Sequence, residues 1–295
     1  MSGSARRDGT VERVASVERD GTVAGGAGLE RTDFVQSVAK TLDVIQAFDA
    51  EHRDLTLSDV ARRTGQSRAS ARRFLLSLEA LGFVRSDSGL FSLTPRVLAL
   101  GHAFLSSLRL PEIAEPHLKA LSQRLGESTS ASVFDGDDVV YVARIPARRI
   151  MSVGIRVGSR FPAYATSMGR VMLAFAPEPA REAYLARVGL EPLTDRTIVD
   201  ADRLRTELEQ VRRQGWAVVD QELAIGLRSV AAPVRNAAGD VIAAINASTT
   251  AQPGSEPMDR ATIDDLVATA DRISADLRHA YPDMEDEQPR WGQPR

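Results

Sequence analysis

The chain contains no cysteine, which excludes a disulfide framework, a thiolate metal site and a cysteine nucleophile. No apolar run approaches the ~18 residues that a membrane span needs. The first 30 residues hold no apolar core of the kind a secretory signal carries. A soluble, cytoplasmic protein with no membrane partner is therefore expected. Charge is nearly balanced, 37 Lys and Arg against 40 Asp and Glu for a net of −3. A nucleic-acid partner would have to be read from a local basic patch, because the total does not point to one. Catalytic signatures are missing as well. The four histidines, His52, His102, His117 and His279, show no metal-ligand spacing, and there is no GxGxxG after a strand, no phosphate-binding loop and no nucleophile elbow. Asp137 and Asp138 are adjacent acids, but within DGDD they read most simply as solvated turn residues. No catalytic residue, metal or cofactor is expected.

What is present divides the chain. With 295 residues and 43% hydrophobic content there is room for two domains. Residues 1–32 are rich in Gly, Ala, Arg and acids and repeat RDGTV at Arg7–Val11 and Arg19–Val23. Such a segment buries too little apolar area to offset its ordering entropy, so a disordered arm is expected. From Val35 the pattern turns helical, with Val35, Val38, Leu42 and Ile45 on one face. A second helix fits Thr56–Thr64, capped by Thr56 with Asp59 in its first turn and stopped by Gly65. A third fits Ser67–Leu81, capped by Ser67, with Ala71, Phe74, Leu78 and Leu81 inward and Gly82 as its stop.

Two short strands, Phe83–Arg85 and Leu90–Leu93, flank the turn formers Asp87, Ser88 and Gly89. Thr94 and Pro95 then open a helix with Val97, Leu98, Gly101, Phe104, Leu105 and Leu108 on its apolar side, and Pro111 and Pro116 bracket the next break. Beyond it, strand-like runs (131–134, 139–145, 151–156, 216–219, 228–234, 241–248) alternate with helical ones (113–125, 167–176, 201–214, 258–280). A mixed α/β domain with a substantially antiparallel sheet follows. The expected architecture is α+β: a helix-turn-helix domain with a hairpin over 33–94, a linker helix over 95–112, an α/β domain over 113–282 and a flexible tail over 283–295.

The first unit has the form of a helix-turn-helix, a form that many helical pairs share. What discriminates is the outer face of the third helix, where Arg68, Ala69, Arg72 and Arg73 point away from the Ala71 and Phe74 side. Guanidinium groups there can read guanine edges or clamp phosphate. From Arg62 to Arg85 there are six arginines and one acid, Glu79. A solvated charged face is the bland alternative; the spacing and the following hairpin weigh against it. Ser67, Arg68, Ala69, Ser70, Arg72 and Arg73 are the expected contacts to a double-stranded DNA operator, with Arg85 and Ser86 near the hairpin tip meeting phosphate. The hairpin reads equally as a cap on the helical core.

Three segments, FVQSVAKTLDVIQAF, LTLSDVARRTGQSRASARRFLLSLEALGFV and LFSLTPRVLALGHAFL, resemble the winged helix and linker of the IclR family of bacterial regulators. A second block, VYVARIPARRIMSVGIRVGSRFPAYATSMGRVMLA and WAVVDQELAIGLRSVAAPV, resembles the same family, so the likeness runs from about Phe34 to Tyr281. ARIPARRIMSV and RFPAYATSMGR are similar to the regulators of protocatechuate and 4-hydroxybenzoate catabolism, the β-ketoadipate pathway group. The resemblance implies a GAF-like effector domain and dimers or tetramers. It also implies a pocket with Ile150, Val153, Ser167 and Met168 on its apolar and backbone side and Asp220, Ser229, Asn246 and Ser248 on its polar side. A small carboxylate of aromatic catabolism is the implied effector; an unrelated central-metabolism acid, or no ligand at all, are the alternatives.

Without the resemblance, Ser167 at the head of a helix suits a carboxylate, but by itself reads more simply as an ordinary cap. Arg148 and Arg149 are countercharges or plain surface residues. The apolar side of the linker helix is longer than one small module consumes, so pairing with a second copy is expected.

Overall fold

The computed structural model describes residues 34–107, 109–147, 155–251, 258–281 and 290–291. The expectations for residues 1–32, Leu108, Arg148, Arg149, Ile150 and Val153, and for the side chains of Phe104 and Leu105, lie outside the described residues. The chain forms two compact units that divide between 108 and 109.

In the first unit, α1 (Gln36–Gln46) is followed by β1 (Asp54–Thr56), α2 (Leu57–Arg63) and α3 (Arg68–Ala80). Thr56 caps α2 in a full capping box: its hydroxyl accepts from the Asp59 N–H, and the Asp59 carboxylate accepts from the Thr56 N–H. Gly65, at φ +63°, takes the left-handed step that lets the Gln66 N–H reach back to the Ala61 carbonyl, closing α2 tightly before α3 begins. Gln66 then pins the turn, donating from Nε2 to the Lys40 carbonyl of α1 and accepting from the Ser70 hydroxyl. Val44, Val60, Ala71, Phe74, Leu75 and Leu78 make the core.

Of the α1 face expected to pack, Ile45 meets the core and the rest does not. Val35 is 59% exposed, Val38 56% and Leu42 42%, because a core this small is filled from α1 by Val44 and Ala47. β2 (Val84–Asp87) and β3 (Leu90–Leu93) form the hairpin, and β1 adds to β3 in the order β1-β3-β2. Three residues are too few for β1 to register as a period in sequence. A 3-10 turn over Pro95–Val97, capped by Thr94, leads into α4 (Leu98–Ser107).

The second unit starts with α5 (Leu110–Leu125), and Pro116 lies within this helix, so the expected break at the prolines does not occur. Pro111 sits in the first turn, where no N–H bond is needed. Pro116 is on the exposed side, where the carbonyl it leaves unpaired faces water, while Leu110, Ala114, Leu118 and Leu121 are buried on the other side.

The sheet contains β4 (Ser128–Gly136), β5 (Asp138–Ile145), β6 (Arg160–Pro162), β7 (Ala217–Asp220), β8 (Leu227–Arg235) and β9 (Val241–Thr250), in the order β6-β5-β4-β9-β8-β7. All of these pairings are antiparallel. In the polar tail Arg290–Trp291 (β10) pairs in parallel with Asp135 and Gly136. Helices α6 (Ser167–Phe175), α7 (Glu178–Arg187) and α8 (Ala201–Gln214) share one core with the inner face of the sheet. α5 and α9 (Arg260–Ala280) cover the other face.

Strand alternation sorts the side chains: Thr129 donates to the Leu118 carbonyl of α5, whereas Ser132 donates to the Met168 sulfur of α6. The expected strand at 151–156 is not found at Ile155 and Arg156, which are irregular. Among the described residues, no helix is long and apolar enough to cross a membrane.

Candidate DNA interface and effector cavity

Ser67 caps α3 by accepting from the Ser70 N–H at 3.2 Å, which orients the first turn outward. Ser67, Arg68, Ala69, Arg72 and Arg73 are exposed, while the Ser70 hydroxyl is taken by Gln66. The six arginines of this region are not equivalent. Arg62 pairs with Asp59 and Arg63 with Asp49, each at 2.7 Å. Arg68, Arg72 and Arg73 face no carboxylate among the described residues, so the uncompensated charge concentrates on the outer face of α3. On the hairpin, Arg85 donates to Ser92 Oγ across the strands. Ser86 is bound to Glu79 of α3 through both its N–H and its hydroxyl. The expectation that Arg85 and Ser86 sit near the tip needs correction: both lie within β2, opposite Ser92 and Phe91, and the turn is Ser88 and Gly89.

In the second unit a cavity lies between the sheet and the head of α6, lined by Tyr141, Ile155, Thr166, Ser167, Val219, Leu223, Ser229, Asn246 and Ser248 among others. Its volume of about 10 Å³ admits roughly one water-sized sphere. Four residues expected at a pocket are thus brought together: Ser167, Ser229, Asn246 and Ser248. Ser229 and Ser248 are cross-strand partners, and the Ser167 and Ser229 hydroxyls meet at 2.9 Å.

Two others stand elsewhere. Met168 points into the core against Ser132. Asp220 follows Val219 on β7 and so projects to the opposite face; it is held by Arg228 at 2.8 Å and Arg196 at 2.7 Å. Against the desolvation of partial burial, those guanidinium groups, Arg228 foremost, keep its carboxyl below the usual range. The cap of α6 is Thr166, whose hydroxyl accepts from the Gly169 N–H at 3.1 Å. Ser167 is therefore the first helical residue, not the cap.

Other groups of this site were not singled out from sequence. Tyr141 is buried against Phe161, edge to face at 5.6 Å, and burial pushes its phenol up to about 12. Arg170 is fully buried: Nε donates to the Tyr164 carbonyl at 2.9 Å and Nη2 to Glu222, whose carboxylate also accepts from the Ile198 N–H. Gly169 lets α6 approach the preceding turn, since a Cβ there would lie 2.2 Å from the Ala163 carbonyl oxygen. SMGR signals a helix start, but a buried arginine is not legible without its partner, 52 residues away. Among the described residues no cluster of His, Asp or Glu could hold a metal ion.

Comparison with known proteins agrees with both units. Residues 37–88 match the IclR helix-turn-helix domain, and residues 102–275 match the family described as bacterial transcriptional regulator IclR C-terminal. The Pca regulon regulatory protein of Pseudomonas putida is 46% identical over 218 residues, 74% of this chain and 75% of that protein. A solved Rhodococcus sp. RHA1 structure described as a transcriptional regulator is 51% identical with a TM-score of 0.75, covering 84% of this chain and all of that one. An IclR homologue from Microbacterium hydrocarbonoxydans, solved with 4-hydroxybenzoate, is 28% identical with a TM-score of 0.73, covering 82% of this chain and 99% of that one.

Proposed function

Because the chain belongs to the IclR family of bacterial transcriptional regulators, we propose that it is a cytoplasmic operator-binding regulator whose effector is a small aromatic carboxylate, and that it works as a homo-oligomer. The observation that carries this reading is the cavity at the head of α6, apolar along Ile155, Val219, Leu223 and Leu227 and polar along Ser167, Ser229, Asn246 and Ser248. The Pca relative and the 4-hydroxybenzoate bound to the Microbacterium homologue support an aromatic acid as its occupant.

The first turns of α3 enter the major groove, with Arg68, Arg72 and Arg73 reading bases or phosphates beside Ser67, Ala69 and Ser70. Arg85 lies along the backbone, and Ser86, engaged by Glu79, sets the angle of the hairpin. Arg68→Ala and Arg72→Ala should leave thermal unfolding unchanged and weaken operator binding. A lost base contact is expected to cost about 1–3 kcal/mol at one base position, and a lost phosphate contact weakens all sequences alike. Fluorescence anisotropy on operator and scrambled duplexes distinguishes the two, and unchanged affinity in both variants would refute the assignment.

Exposed Val35, Val38 and Leu42 on α1, with Leu98 74% exposed on α4, are the apolar surface that a second copy covers. A monomer in sedimentation at micromolar concentration would exclude that. Pairing places two copies of α3 on half-sites related by two-fold symmetry.

Since the cavity admits only about one water, an aromatic acid binds by displacing its walls. It therefore selects a wider arrangement, and this difference in affinity couples ligand to DNA. Titration of 4-hydroxybenzoate with and without operator should show affinities differing about 5- to 150-fold. Equal affinities would exclude the sensing mechanism and leave the DNA-binding assignment standing.

A further inference from the structure

Next to the wall of the cavity formed by Tyr141 and Asn246, a β-bulge turns a guanidinium onto the same face of the sheet. Along β5, Tyr141 pairs with Ser132 and Arg144 with Ser130, and the register shifts between Ala131 and Ser132. In regular alternation, residues three apart on a strand face opposite ways. The extra residue at the shift carries Arg144 onto the same face as Tyr141, the face that holds the cavity. Bulges of this kind re-aim side chains beside sites.

There the guanidinium is largely enclosed. Nη1 donates to Ser130 Oγ at 3.2 Å, and among the described residues no carboxylate pairs with it. Burial pulls its pKa below the ordinary arginine value, with Tyr141 as its electrostatic neighbour. Ser130 is in turn the cross-strand partner of Asn246. Asn246, 4% exposed and lining the cavity, interacts with the Tyr141 phenol and leaves its buried Oδ1 without a hydrogen-bond partner. A partly buried cation lacking an anion and a buried acceptor lacking a donor are both costly, and each is relieved by the complementary group of a ligand.

Resting on the reading that an aromatic acid is the effector, we propose that Arg144 holds the carboxylate of that acid, beside Tyr141, and that the ring hydroxyl points the other way, toward Asn246 Oδ1 and the serines at the head of α6. The competing anion site is the N-terminus of α6. A helix terminus presents about half a unit charge. Here Thr166 already takes the Gly169 N–H, leaving the first N–H groups of a nine-residue helix. A full, desolvated guanidinium with several donors outweighs it for a carboxylate. Ser167, Ser229 and Ser248, which both donate and accept, suit a phenolic hydroxyl.

Calorimetry on the full chain with 4-hydroxybenzoate and its neutral isostere 4-hydroxybenzamide tests this. Wild type should prefer the acid by about 10- to 100-fold, the range for one charge-assisted hydrogen-bond pair. Arg144→Gln should abolish that preference by weakening the acid alone, and Arg144→Lys should keep most of it. If the preference survives in Arg144→Gln, the carboxylate sits at α6 and the proposal is overturned. Equal weakening of acid and amide would mean that Arg144 only props the fold, and also overturns it. Adipate, an aliphatic dicarboxylate, separates this proposal from the aromatic reading. If wild type binds adipate but neither aromatic probe, the aromatic reading fails; loss of adipate binding in Arg144→Gln then still supports Arg144, and its retention refutes it. Wild type that binds none of the three overturns both.

Discussion

Replacing Arg170 with methionine is expected to destabilise the second unit by about 3–5 kcal/mol, the range for removing one partner of a buried ion pair. The guanidinium is 1% exposed and joins three segments: the Tyr164 carbonyl ahead of α6, the helix itself, and Glu222 beyond β7. Without it the Glu222 carboxylate keeps the Ile198 N–H but loses its countercharge while remaining enclosed. In a unit of this size the melting temperature should fall by roughly 6–20 °C. Glu222→Gln should do less harm from the other side, because Glu207 remains 3.9 Å from the guanidinium as a second countercharge. The double variant Arg170→Met, Glu222→Met should lose much less than the two singles together, because the penalty is mainly that of the unpaired charge. Thermal unfolding of the four proteins measures the coupling. Purely additive losses would mean that water reaches the pair. Because Leu223 lines the cavity directly after Glu222, Arg170→Met should also weaken effector binding in protein that stays folded.

Gly169→Ala should be the most damaging substitution of a single hydrogen by a methyl. The added Cβ would sit 2.2 Å from the Ala163 oxygen and 2.4 Å from its Cα, and backbone atoms cannot swing aside as a side-chain end can. Overpacking commonly costs about 1–3 kcal/mol. A clash with backbone at both ends should reach or exceed the top of that range, so a loss of about 3 kcal/mol, or failure to accumulate as soluble protein, is expected. The intrinsic helix preference for alanine, about 1 kcal/mol, acts in the opposite direction and is outweighed. As a control, Gly189→Ala meets nothing within 4 Å and should leave stability within about 0.5 kcal/mol. A Gly169→Ala protein that melts like wild type would show that the head of α6 can shift, and with it Ser167 and the cavity wall.

The local elements and their ends were determined by the sequence itself. Thr56, Ser67, Thr94 and Asp200 cap helices because a short side chain carrying an oxygen satisfies an N–H two or three residues on, a relation contained wholly within neighbouring residues. The outward arginines of α3 and the antiparallel strands followed from periods of 3.6 and 2 in the same way.

Long-range pairing decided the rest. Which arginines of the DNA-binding unit carry free charge depended on Asp49 and Asp59. Whether the apolar stripe of α1 packs depended on how much core the other helices had already filled. Pro116 reads as a break by local rules, yet helix α5 runs through it because its unpaired carbonyl faces water while Leu118 and Leu121 are buried on the other side. Val219 faces the cavity and Asp220 faces Arg228 because strand alternation turns on a single residue of register, which no local preference specifies. Arg144 reaches the inner face only through a bulge between two strands, and Arg170 is neutralised by carboxylates far along the chain, Glu222 in direct contact and Glu207 at 3.9 Å. Capping and periodicity act between residues a few positions apart, so one chain read alone exposes them. Register, burial and ion pairing are set between segments that meet only on folding.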